Sequence, residues 1–194
     1  MTDRESEFPQ NADVALELRL GLPDALRVLL DEFPRGSWEE NENFGKMVQF
    51  WLQRHLMFRE VLRRMTAETQ AVEARDLDFA RYAPRLSRLG GFLLQELHMH
   101  HHIEDLHYFP RLVVLDPRLA RGFDILDADH KALDALLGDF ADAANKVLRG
   151  GESATSEIGR LAESLIRFDG FLDRHLTDEE DLIVPVILKT GFEA

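Results

Sequence analysis

From Phe44 onward the apolar residues fall three and four apart: Met47, Val48, Trp51, Leu52, Phe58, Leu62 and Met65 mark one face of a long helix. A second series, Leu86, Leu89, Leu93 and Leu97, predicts another helix closing near Phe109 and Pro110. Asp116 and Pro117 form a cap and first-turn pair for a third, which runs through Ile125, Leu126, Leu133, Leu137 and Phe140. After the break at Arg149, Gly150 and Gly151, Ser153 or Thr155 can start a fourth with Ile158, Leu161, Leu165, Phe168, Phe171 and Leu172 on its inner side. No stretch alternates like a strand. The pattern predicts an all-α fold: an antiparallel up-down four-helix bundle over residues 37–194. Ahead of it, apolar spacing from Val14 to Phe33 around Pro23 predicts a short extra helix in an N-terminal arm, residues 13–36. Residues 1–12 lack periodicity and read as a mobile tail.

At 194 residues the chain suits one domain with a continuous core. With no cysteine, disulfides, thiolate metal sites and cysteine nucleophiles are excluded, so any metal is held through nitrogen and oxygen. A balance of 23 Lys+Arg against 36 Asp+Glu, net −13, opposes nucleic acid and anionic membrane surfaces as partners. The polar start MTDRESEFPQ has no apolar run of a signal peptide, which makes a cytoplasmic location the default expectation.

Two segments, HHHIEDLHYFPRL and RHLTDEEDLIVPVIL, share a spacing: a histidine, acids four and five residues on, and a proline ten on. These are His100, Glu104, Asp105 and Pro110, then His175, Glu179, Glu180 and Pro185, where 175 − 100 and 185 − 110 both give 75. The same offset carries His55 onto His130, so the chain repeats as two helix pairs. Residues four apart share a helix face about 6 Å apart, so His100 and Glu104, and likewise His175 and Glu179, can converge on a metal centre. Four imidazoles and two carboxylates inside a bundle are costly to bury unless cations offset them, and the set suits iron or manganese.

The pattern H…HxxxE…H…HxxxE from about Phe44 to Leu188, with its trailing Phe109–Pro110 and Val184–Pro185, resembles the hemerythrin-like, or HHE cation-binding, family. That resemblance implies two iron ions joined by an oxo or hydroxo bridge, with manganese or zinc as substitutes. His55 and His100 would hold one ion, His130 and His175 the other, and Glu104 and Glu179 would bridge both. Oxygen-carrying hemerythrins add a fifth histidine one turn after the one on the third helix, and here that position is Asp134. Absence of that imidazole points away from oxygen carriage and toward two equivalent ions that could take peroxide between them, a catalase-like disproportionation. Asp134 serving as a ligand in its place is the competing reading.

Around this set, His101 with Asp105 offers a rival pair at the same spacing, but the proline alignment selects His100 with Glu104 and leaves His101 and His102 as a solvated flank. His107 lies about 10 Å further along the helix, too far for ligation, and reads as surface or as an outer neighbour of the cluster, while Tyr108, four after Glu104, reads as core or as turning its hydroxyl toward the cluster. Trp51 and Phe171, each four before a histidine, read as core, and Glu180 as facing away. The function expected is a non-haem di-iron protein that binds or reacts with dioxygen, hydrogen peroxide or nitric oxide. A sensor of iron or oxygen acting through a protein partner is the alternative.

Overall fold

The computed structural model describes residues 15–193, and every regular element among them is helical. The expected tail, residues 1–12, lies outside that range. The arm is not one helix but a 3-10 turn, Asp24–Leu26, followed by the short α1, Val28–Glu32. Pro23 sets where the turn begins, since it disfavours helical geometry at Leu22, and the turn and α1 are separated at Arg27, with φ −97 and ψ 12. Leu16, Leu22, Leu26, Leu29 and Leu30 are nonetheless all buried, so the arm is bound to the bundle by apolar contact.

The four long apolar series become α2 (Lys46–Glu73), α3 (Phe79–Ile103), α5 (Ala120–Gly150) and α6 (Thr155–Thr190). Asp78 caps α3 by accepting from the Ala80 N–H, and Asp116 accepts from the Arg118 N–H ahead of the turn Pro117–Leu119 that leads into α5. Neither Ser153 nor Thr155 caps α6, which ends at Gly191 with φ 64, a left-handed residue suited to glycine. α2 and α5 each pack on both α3 and α6, so the four rods form a closed square.

The second rod continues beyond α3 through one turn of π-helix, Glu104–Tyr108, into α4 (Phe109–Leu115). Within it the Phe109 N–H donates five residues back to the Glu104 carbonyl. Pro110, which has no N–H to give, follows at the head of α4. The corresponding Pro185 sits inside uninterrupted α6, so the two halves of the repeat differ here.

The bundle interior holds two apolar clusters. One joins the arm to the ends of α2, α4, α5 and α6 through Leu22, Trp38, Trp51, Phe109, Leu126 and Ile183. The other fills the long end with Phe58, Leu93, Leu133, Phe140, Phe168 and Leu172. His55, His101, Glu104, His130, His175 and Glu179 are buried in the polar layer between them.

Candidate metal centre

The histidines and glutamates of the repeat reach one layer because each helix lays a residue of its inner stripe there. Two groups result. In the first, ligand atoms of His55 on α2, His100 on α3, Glu104 at the π turn and Glu179 on α6 all lie within 4.8 Å of one another. In the second the same holds for His101, His130 and His175.

The carboxylates join the groups in different ways. Glu104 places Oε1 3.0 Å from His100 Nε2 and Oε2 3.7 Å from His130 Nε2, one oxygen toward each group. Glu179 turns a single oxygen, Oε2, to both: 3.6 Å from His55 Nε2 and 3.4 Å from His175 Nε2. Its other oxygen accepts a 2.8 Å hydrogen bond from the Trp51 indole N–H. Trp51, expected as core only, therefore also fixes the rotation of a carboxylate.

Burial sets the charge state. It lowers His100 to about 4, lowers His55, and holds His101 and His175 well below the ordinary imidazole value. The same burial raises Glu104 to about 8, and burial with the neighbouring charge of Glu104 raises Glu179 to about 8. At neutral pH the metal-free protons thus sit on the glutamates rather than on these imidazoles.

Buried polar atoms normally have partners. Here both oxygens of Glu104, Oε2 of Glu179, Nε2 of His130 and of His175, and both ring nitrogens of His101 have none among the described residues, and all are fully buried. Seven orphaned acceptors or donors facing one small space fit a pair of cations held by nitrogen and oxygen. The family model for the hemerythrin HHE cation-binding domain matches residues 46–187. The chain belongs to the hemerythrin HHE family. No curated protein and no solved structure matches the chain. No described helix is long and apolar enough to cross a membrane.

The hemerythrin site departs from the sequence reading at three residues. His101 is 3 % exposed rather than a solvated flank, with its ring stacked 4.1 Å from that of His130. Asp134, offered as a substitute ligand, is exposed and turns to the exposed His98 at 3.9 Å. Glu180 does not face away: it is buried and accepts from His55 Nδ1 at 3.0 Å, Arg59 at 2.7 Å and Arg35 at 2.8 Å. Burial pushes Glu180 up, but the His55 hydrogen bond with Arg59 and Arg35 brings it down to about 2, so it is ionised. A helix buried on nearly all sides, as α6 is here, has no solvent face to turn an acid toward.

Asp105 does the same for the other half, accepting from His130 Nδ1 at 2.8 Å. The acid five residues after each helical histidine therefore orients the lone histidine of the opposite half, and its retention in both segments was the signal for that role. Such a partner fixes the tautomer and leaves Nε2 to face a metal. Replacing Glu180 with alanine frees His55 Nδ1 while Arg59 keeps Asp173 and Arg35 keeps Asp181, each at 2.7 Å. Cation affinity should fall about 10- to 100-fold, readable by titrating metal-free protein with ferrous iron. An affinity equal to wild type would mean that His55 needs no such anchor. His107 is exposed, and Tyr108 packs edge-on against Trp51 with ring centroids 4.7 Å apart.

Proposed function

We propose that the protein is a non-haem di-iron protein that binds a small oxidant, dioxygen, peroxide or nitric oxide, at one of two unequal ions. His55, His100, Glu104 and Glu179 would hold one ion, and His101, His130, His175 and the same two carboxylates the other. The observation that carries the reading is His101: a buried imidazole with neither nitrogen partnered among the described residues, within reach of His130 and His175. It supplies from the second rod the fifth histidine that the third rod lacks at Asp134. A three-to-two division of imidazoles leaves room for a small molecule on the His55 and His100 side only. That favours reversible binding over the two-sided peroxide chemistry expected from equivalent ions.

Access supports the same side. A cavity of about 310 Å³ runs between α2 and α3, lined by Met47, Phe50, Trp51, Arg54, His100 and Glu104. It reaches His100 and Glu104 and none of the three histidines of the second group. Arg54 stands in its wall, ion-paired to Glu96 at 2.8 Å. Iron, when bound, supplies the one-electron redox chemistry that these side chains lack. The chain's own residues bury it, fix the imidazole tautomers and leave a cavity that reaches His100 and Glu104.

The test uses protein purified without a histidine tag. Wild type should hold two irons per chain, and its reduced form should give an oxygenated spectrum that reverses under vacuum, with little oxygen evolved from peroxide. His101→Ala should open the second ion and raise oxygen evolution about tenfold or more. Peroxide decomposition by wild type as fast as by His101→Ala would show the two ions to be equivalent and overturn the asymmetric reading.

A further inference from the structure

The arm before the family match carries two arginines that end beside the metal centre. Arg19 is 7 % exposed and lies between two buried carboxylates. Its Nε donates to Asp178 at 2.8 Å and its Nη1 to Asp129 at 2.7 Å, with a second bond from Nη2 to Asp129. Asp178 is further tied to the arm by the Leu22 N–H at 3.1 Å. Asp129 Oδ2 in turn lies 3.3 Å from His175 Nδ1. The second arginine, Arg35, holds Glu180 at 2.8 Å, and Glu180 takes Nδ1 of His55. One arm thus supports an imidazole in each of the two groups.

We propose that Arg19 is a positioning residue of the metal centre: through Asp129 it holds His175 with Nε2 toward the ion, so residues outside the cation-binding domain complete the site. This rests on the di-iron reading above. A carboxylate that accepts a hydrogen bond from Nδ1–H of a neutral imidazole leaves the lone pair on Nε2, which is the form a metal needs. Asp129 can do so in a dry interior only while its charge is matched, and the planar guanidinium matches it through two parallel bonds. Lysine would keep the charge but not the fork.

The experiment loads full-length protein anaerobically with ferrous iron and follows stripping by a ferrous chelator. Wild type, Arg19→Gln, Arg19→Lys, Asp129→Asn and the Arg19→Lys/Asp129→Asn double variant are compared, with melting of each metal-free protein recorded beside the release rate. Arg19→Gln should release iron about tenfold faster than wild type, with Arg19→Lys in between. In the Asp129→Asn background Arg19→Lys should add nothing, because the route through Asp129 is already cut. If Arg19→Gln fails to fold, the lysine variant and its double decide. Release at the wild-type rate, or the same acceleration with and without Asp129, would overturn the proposal and leave Arg19 a purely structural tie. A wild type that holds no iron would fail the di-iron reading first and this inference with it, whereas two tightly held irons with indifferent Arg19 variants would fail this inference alone.

Discussion

Replacing Glu104 with glutamine should remove iron from the protein and make what is left more stable. Its two oxygens face His100 and His130, one in each group, so on the di-iron reading its loss would withdraw a ligand from both ions. Affinity should fall by more than about 100-fold, beyond what loss of an outer partner costs. Without metal the same carboxyl is a liability: it is fully buried, both oxygens are orphaned among the described residues, and burial holds it protonated up to about 8. Glutamine keeps the shape and cannot ionise, so the metal-free variant at pH 8 should gain roughly 1–3 kcal/mol. Elemental analysis and melting of metal-free protein read the two effects separately. Loss of both iron and stability would show Glu104 to be structural, and retention of two irons would remove it from the site.

The metal-free wild type should be most stable near pH 6.5, and metal should abolish the fall on the alkaline side. His55, His100, His101 and His175 are lowered from 6.5 in the fold. The stability they contribute is present above pH 6.5 and is lost as pH falls, for His100 through about 4. Glu104 and Glu179 are raised from 4.5 to about 8, so theirs is present below pH 4.5 and is lost as pH rises through about 8. Below pH 6.5 four histidines oppose two glutamates, and stability should climb with pH. Between about 6.5 and 8 the histidines are silent and the glutamates cost roughly 2–4 kcal/mol. Ferrous iron replaces those protons, so loading at pH 7 should release about two per chain into weakly buffered solution. A metal-free melting temperature that keeps rising to pH 8 would show the carboxyls to be ionised already.

Much of this was legible because it is periodic. The spacings of three and four gave the long rods, and the offset of 75 brought His55, His100, Glu104, His130, His175 and Glu179 into one frame. What escaped was whatever the period does not carry. His101 is adjacent to His100 and therefore about 100° round the helix, off the stripe the repeat selects. Only the square of neighbours places it against His130 and His175. Glu180 was set aside by the same 100°, although a residue that misses the metal can still meet the far nitrogen of a ligand. Arg19 belongs to no repeat, and nothing near it in sequence discloses Asp129 and Asp178, 110 and 159 residues away. The π turn left only Pro110 as a trace, and Pro185 shows that proline alone does not impose one.

Neither helix pair carries either candidate group alone. The first group takes His55, His100 and Glu104 from the leading pair and Glu179 from the trailing one; the second takes His130 and His175 from the trailing pair and His101 from the leading one. The acids are exchanged as well, Glu180 reaching back to His55 and Asp105 forward to His130. A hairpin of the repeat's length would therefore have had three of the four ligands of the first group and a full set only on meeting its twin. Duplication and fusion of such a hairpin would turn a symmetric homodimer into one chain. Its two copies could then diverge, one gaining a third imidazole at His101 and the other an open channel.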